Sequence, residues 1–267
     1  MMTTPATGGA SAGGQEDRAA QSRAARTRLL LEAPIAPTLA ALAAPNVLAM
    51  FVQTAQSIAE AYYASLLGVT ALAGLALVFP LVMLTQMLSA GAIGGAISAS
   101  VARALGASDD ARAASLTVAA GMIASGLALV MAALVAGLGT GFFTLLGGGA
   151  EAVAAATAYA LVFFPGALAI WLCNAALSVI RGTGDMRTPA VLSLIVSGIS
   201  IVLSGGLALG WGPLPALGMT GLALGPVIAF GAGAGIAMAH IARGRAGLVF
   251  GGALARLDRG MFRDILL

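Results

Sequence analysis

The sequence predicts an all-α integral membrane protein, built as a bundle of six transmembrane helices. Only 9% of the 267 residues are charged, 60% are hydrophobic, and the mean hydropathy is +1.00. Soluble domains carry about 25% charged residues, and one soluble core cannot hide this much apolar surface, so the lipid bilayer is the expected partner. A soluble dinucleotide enzyme, a zinc module and a nucleic-acid binder are therefore disfavoured.

Five long runs of the chain contain no charged residue. A membrane-spanning helix needs about 20 apolar residues. The last run is long enough for two such helices, and the turn signal Gly210-Trp211-Gly212-Pro213 divides it. The predicted spans are 36–64, 71–101, 113–138, 152–180, 188–209 and 217–241.

All thirteen basic residues are arginines. They fall in the N-terminal tail, in the loops after the second and fourth predicted spans, and after the sixth span, whereas the other three loops have none. Loops rich in arginine face the cytoplasm. The sequence therefore predicts a multi-pass protein of the inner (plasma) membrane with both termini in the cytoplasm.

The segments that flank the bundle differ from it in composition. Residues 1–28 have almost no large apolar side chain, so we predict a disordered cytoplasmic tail. Residues 29–242 form the predicted bundle, and 243–267 form a basic cytoplasmic segment. We predict neither enzyme activity, nor catalytic residues, nor a metal or other cofactor, because the chain has one cysteine, one histidine and no nucleotide-binding Gly-Lys-Ser/Thr loop.

Glu60 is the one acidic residue inside a predicted span. A charge at the centre of a bilayer costs about 2.5–3.5 kcal/mol, so a buried acid indicates a partner or a function. Asn46, Gln53 and Ser57 precede it at helical spacings of seven, four and three, which places their side chains on one face, with Gln56 at its edge.

Two further polar stripes follow in the fourth and fifth spans. Such residues either line a hydrated cavity or bond back to their own helix and permit close packing. The presence of Glu60 favours the cavity, with Asn46, Gln53, Gln56, Ser57, Asn174, Ser178 and Ser197 as its predicted lining. The stripes consist of Asn174, Ser178 and Arg181, and of Ser193, Ser197, Ser200 and Ser204.

Several short motifs occur in a definite order along the chain. Pro45-Asn46 opens the first span with Glu60 fifteen residues after the proline, and Leu67-Gly68-Val69-Thr70 leads into the second. The segment Arg181-Gly182-Thr183-Gly184-Asp185-Met186-Arg187-Thr188-Pro189 joins the fourth and fifth spans. In these motifs, residues 30–267 resemble the first half of the multidrug and toxic compound extrusion (MATE) transporters.

The resemblance implies an architecture larger than this chain. Complete MATE transporters have two six-helix bundles, with the substrate path between them. The chain would then be one lobe of a twelve-helix transporter, truncated or partnered by a second half or by another copy of itself. The loop motif that carries the resemblance comprises Arg181, Gly182, Gly184, Asp185 and Pro189.

The resemblance also implies a function. Glu60 matches the acid in the first helix of the family that is implicated in proton or sodium coupling. Ser200 and Ser204 stand where the family often has Asn-x-x-x-Asp, which weakens a sodium site and favours the proton. The implied activity is an antiporter that exports amphipathic cationic drugs. The alternatives are a flippase for lipid-linked intermediates in the same superfamily, or an inactive or accessory membrane fragment.

Overall fold

The computed structural model describes residues 35–244 and residue 265, with side chains from residue 44 onward except those of 45, 46 and 49. The chain separates into two compact units, Met1–Ala44 and Pro45–Leu267, and all contacts given below lie within the second. The predicted tail 1–28 and most of the predicted segment 243–267 lie outside the described residues.

The described residues form helices joined by short turns, with no strand among them. Among the described residues, the five helices between Val69 and Ala242 are long and apolar enough to cross a membrane. The first helix coincides with the first predicted span, so the all-helical membrane fold is confirmed and six crossings stay a prediction. The helices are α1 (Ile35–Leu66), α2 (Val69–Gly106), α3 (Asp110–Leu145), α4 (Ala150–Gly182), α5 (Arg187–Leu209) and α6 (Met219–Ala242).

The third helix is longer than predicted. The predicted span ended at residue 138, yet α3 continues to Leu145. Within a bilayer an interrupted helix would leave backbone groups without hydrogen-bond partners. In addition, Phe143 is fully buried, so this last stretch packs against the bundle as helix.

Side chains and glycines define the helix ends. The carboxylate of Asp109 accepts a hydrogen bond from the backbone N–H of Arg112 at 2.9 Å, which caps α3. Gly68 (φ 114°) forms the turn between α1 and α2, and Gly210 (φ 74°) ends α5 in a left-handed conformation, which costs glycine little. The short turns make the consecutive helices antiparallel.

Helix α4 is the centre of the bundle. It packs against α2, α3 and α6, and α5 packs mainly against α6. Its aromatic residues Tyr159, Phe164 and Trp171 are fully buried. Small residues bring α5 and α6 together, because a Cβ atom at Gly225 would overlap Ser204.

Helix α2 contains a π-helical segment, Met87–Ile93, between its α-helical parts Val69–Gln86 and Gly94–Gly106. A π-helical turn holds more residues than an α-helical one, and such turns are frequent at functional sites. Here the segment separates the part of α2 that ends at Gln86 from the part that contains Ser98, and the two parts contact different regions of the bundle.

Candidate functional site

A polar cavity of about 70 Å³ lies where α1, α2, α4 and α6 meet. A water molecule needs about 10–15 Å³ of cavity volume, so a few water molecules fit. Its polar wall comes mostly from α1, and its apolar wall from the other three helices. The residues that line it include Gln53, Gln56, Ser57, Glu60, Phe79, Met83, Gln86, Tyr159, Phe163, Pro226 and Phe230.

Glu60 is held by its own helix. The side-chain amide of Gln56 donates a hydrogen bond to Oε1 of Glu60 at 3.1 Å, and Gln56 is 7% exposed. Among the described residues, no arginine, lysine or histidine lines this cavity. No cationic side chain among the described lining residues therefore neutralises the Glu60 carboxyl group.

The polar face predicted for α1 is present where the structure describes it. Gln53, Gln56, Ser57 and Glu60 all border the cavity, as their spacing along the helix requires. The side chain of Asn46 lies outside the described residues. The roles of these residues in transport stay predictions.

The polar residues of α4 lie elsewhere, in what we call the α2–α4 polar cluster: Ser89, Ser98, Asn174, Ser178 and Arg181. Asn174 donates to the Ser89 hydroxyl at 2.9 Å and Arg181 to the Ser178 hydroxyl at 2.8 Å. Ser178 and Ser98 donate to the backbone carbonyls of Asn174 and Ser178, each at 2.7 Å.

None of the α4 members of this cluster lines the Glu60 cavity. The cavity-lining residues of α4 are Tyr159, Phe163 and Ile170, which precede Asn174 along the helix. Asn174 and Ser178 instead contact α2 at Ser89, in its π-helical segment, and at Ser98, in the α-helical part that follows. The structure therefore separates the predicted cavity residues of α1 from those of α4.

The serines of α5 also lie apart from the cavity. Ser200 and Ser204 are fully buried, and Ser197 is 6% exposed. Ser204 donates to the carbonyl of Leu222 in α6 at 3.3 Å, whereas the buried hydroxyl of Ser200 has no partner among the described residues. For Ser204, close helix packing is the interpretation that the contacts support, and an ion-coupling role stays a prediction.

The loop motif after α4 has a clear structural role. A Cβ atom at Gly182 would lie 2.8 Å from the carbonyl oxygen of Ser98, and Gly184 has φ 84°. Asp185 caps α5 by accepting hydrogen bonds from the backbone N–H groups of Arg187 and Thr188, both at 3.1 Å. Pro189 is buried in the first turn of α5. The motif therefore builds the turn between α4 and α5.

Two polar residues that line the cavity, Gln86 and Tyr159, were not predicted from the sequence. Gln86 is an amide inside an apolar span, a signal of the same kind as Glu60. Tyr159 is fully buried, and its hydroxyl has no hydrogen-bond partner among the described residues. Its position beside Glu60 depends on how α4 packs on α1, which helical spacing within one segment does not reveal.

The sequence pattern of the MatE family matches residues 45–204. The chain belongs to the MatE family. Its resemblance to MATE transporters is thereby confirmed, and this membership makes it a multi-pass membrane protein of a transporter family.

Relatives and solved structures agree with this assignment. The FAD transporter of Shewanella oneidensis is 28% identical over 199 residues, which cover 73% of this chain and 43% of that protein. A MOP superfamily transporter from Pyrococcus furiosus superposes with a TM-score of 0.76 at 25% identity, over 84% of this chain and 49% of that one. An outward-facing multidrug resistance MATE family transporter gives 0.75 at 26% identity, with the same coverage. The chain thus spans about half the length of the proteins that it matches.

Proposed function

We propose that the chain forms one lobe of a secondary antiporter in which Glu60 binds the coupling ion. The observation that carries the proposal is the polar cavity of this MatE protein, where Glu60 is the acidic group and Gln56 orients its carboxylate. A group that changes its charge inside a membrane bundle is the element that ion-coupled transport requires.

We propose the proton as the coupling ion. A metal cation is bound by several oxygen ligands, among which carboxylates are prominent, and Glu60 is the one carboxylate among the described cavity residues. Ser200 and Ser204 do not reach this wall in the structure. A proton needs one carboxyl group, so it is the simpler choice.

For the exported compounds we propose amphipathic organic cations. The described wall combines one acid with the amides of Gln53, Gln56 and Gln86 and with the rings of Phe79, Tyr159, Phe163 and Phe230. Aromatic faces attract cations. A cavity of about 70 Å³ holds only part of a drug-sized molecule, so this wall would contact one part of the compound and the facing lobe the rest. A positively charged drug or dye matches this chemistry.

A flavin nucleotide is the second candidate, because one relative is named FAD transporter. Its phosphate groups would need cationic partners, and the described wall of the cavity has none. In a two-lobe transporter, these cationic residues would come from the other lobe. Transport of FAD therefore requires basic residues on the lobe that faces this chain, whereas transport of an organic cation does not.

Transport in vesicles tests the proposal. We would reconstitute the chain alone, and the chain together with a second six-helix bundle of the family, and impose a pH gradient or a sodium gradient. We expect pH-driven movement of a cationic dye with both bundles, and none with the chain alone, since one bundle supplies one wall of the path. Movement driven by sodium alone would overturn the proton assignment, and movement of FAD without the dye would favour the second candidate.

A further inference from the structure

A lateral furrow lies on the other side of α4, between α3 and α6. Both helices pack extensively on α4 and hardly touch one another, and small side chains form the floor. The furrow has a volume of about 240 Å³ and extends along α4 from Leu172 to Val179, about 10 Å at 1.5 Å per residue. It is separate from the Glu60 cavity, because none of its lining residues borders that cavity.

The furrow offers nothing polar to a ligand. The one polar side chain among its lining residues is Thr117, and that hydroxyl donates to the carbonyl of Ala113 in its own helix at 3.0 Å. The walls otherwise consist of alanine, glycine and branched or sulfur-containing apolar residues, such as Ala176, Gly121 and Met238. An unbranched hydrocarbon chain fits these walls, whereas a polar ligand would lose hydrogen bonds there.

The furrow opens at the basic end of the bundle. α3 begins at this end, and α4 and α6 finish there, with Ala242 lining the furrow and the exposed Arg243 directly after it. Of the three aspartates at the same end, Asp109 and Asp185 accept backbone hydrogen bonds as helix caps. The arginines outnumber these aspartates among the described residues, and they are Arg103, Arg112, Arg181, Arg187 and Arg243.

We propose that this furrow binds an anionic glycerophospholipid of the adjoining leaflet. One acyl chain lies over Ala175 and Ala176, and the phosphate headgroup lies beside Arg243. Basic sites between helix ends are suited to anionic headgroups, and an apolar furrow on the lateral surface gives the chain a fixed position. The site is independent of substrate and coupling ion.

Lipid titration of the purified chain in detergent tests the site. Native mass spectrometry would compare phosphatidylglycerol with phosphatidylcholine carrying the same acyl chains. We expect retention of one phosphatidylglycerol molecule at concentrations where phosphatidylcholine is lost. Equal retention of the two lipids would overturn the proposal, whatever the outcome of transport assays.

Two glycines of α3 provide a matched pair of variants. A Cβ atom at Gly121 or at Gly126 meets no atom within 4 Å. Of these two glycines, Gly121 lines the furrow and Gly126 does not. We expect Gly121→Leu to abolish the retention of phosphatidylglycerol, because its side chain fills the furrow, and Gly126→Leu to preserve it. Unchanged binding by a folded Gly121→Leu variant would contradict the site.

A second pair of variants tests the headgroup contact. Arg243→Gln should weaken the binding of phosphatidylglycerol about fivefold, the factor that one arginine near an anionic lipid contributes. Arg112→Gln is the control, because Arg112 precedes Gly121 by nine residues, or two and a half turns, and so lies on the opposite side of α3. Equal losses in the two variants would show a diffuse charge effect and would refute a site at Arg243.

Labelling of the unaltered chain keeps the proposal testable if Gly121→Leu does not fold. A phosphatidylglycerol with a diazirine in its acyl chain should crosslink to peptides of α4 and α6 that contain Ala176 or Met238. Crosslinks spread evenly over all lipid-facing helices would overturn the site.

Discussion

Asn174 of α4 donates a hydrogen bond to the hydroxyl of Ser89 in α2 at 2.9 Å, across 85 residues of sequence. Ser89 lies in the π-helical segment, and both side chains are buried. The bond therefore ties the irregular part of α2 to the centre of the bundle. Gln86, which lines the Glu60 cavity, comes directly before this segment, and its carbonyl accepts a hydrogen bond from the Ser89 hydroxyl at 3.5 Å.

A double-mutant cycle measures that bond. Asn174→Leu removes the donor and should lower the free energy of unfolding by about 1–3 kcal/mol, because the buried Ser89 oxygen then accepts no hydrogen bond and keeps only its long bond of 3.5 Å to the carbonyl of Gln86. Comparison with Ser89→Ala and with the double variant gives the coupling energy between the two side chains. This energy should be about 0.6 kcal/mol, as for buried side-chain hydrogen bonds between membrane helices. Reversible unfolding in mixed detergent micelles provides the values.

The control for this cycle pairs Asn174→Leu with Ser125→Ala. Ser125 donates to the carbonyl of Gly121 within its own helix at 2.8 Å, so we expect additive effects. A coupling energy for Ser89 and Asn174 no larger than that of the control pair would show that the bond contributes nothing measurable.

Glu60→Gln should separate folding from coupling. The amide of glutamine has nearly the shape of the carboxyl group, and a neutral amide costs less free energy to bury than a charged carboxylate. Insertion and stability should therefore hold or rise. Proton-driven export by the chain paired with a second bundle should fall steeply, because the cavity wall then lacks a group that can change its charge. Efflux is measured at matched membrane expression.

Glu151→Gln is the matched control for that experiment. Glu151 is an exposed acid in the first turn of α4, where it accepts a hydrogen bond from Thr70 at 3.3 Å. This variant should export normally. Near-normal export by Glu60→Gln would remove Glu60 from the coupling mechanism.

Close packing of α5 and α6 should depend on Gly225. A methyl group there would overlap the backbone and side chain of Ser204, and overpacking of this kind costs about 1–3 kcal/mol. Gly235→Ala, on the same helix, meets no atom within 4 Å and should be neutral or slightly stabilising, because alanine favours helix. Thermal unfolding in detergent compares the two, and equal melting temperatures would contradict the observed helix contact.

The orientation in the membrane can be tested with single cysteines. Cys173 is fully buried and should stay unlabelled by an impermeant thiol reagent. We expect cysteines at Leu146 and Leu214, both exposed in loops without arginine, to react from outside the cell. A cysteine at Ala107, in the arginine-flanked loop between α2 and α3, should react only after the membrane is opened. External labelling at Ala107 would invert the proposed topology.

The positions of the helices followed from the sequence because a bilayer leaves few alternatives. Uncharged runs of about 20 residues must become helices to satisfy their backbone groups, and the turns at Gly68, Gly184 and Gly210 have positive φ angles. The same local periodicity brought Gln53, Gln56, Ser57 and Glu60 to one side of α1. The helix ends were less exact, because α2 continues to Gly106 and α3 to Leu145, beyond the predicted ends at 101 and 138.

The grouping of polar residues from different helices needed the tertiary structure. Periodicity shows which residues share a face within one helix, but the partner of that face depends on rotation and packing about α4. The sequence alone could not show that Asn174 bonds to Ser89 and Ser204 to α6, whereas Tyr159 and Gln86 line the same cavity as Glu60. Composition and spacing thus determined a membrane bundle with one acid inside. The contacts between helices, which depend on side-chain volumes far apart in the sequence, decided what surrounds that acid.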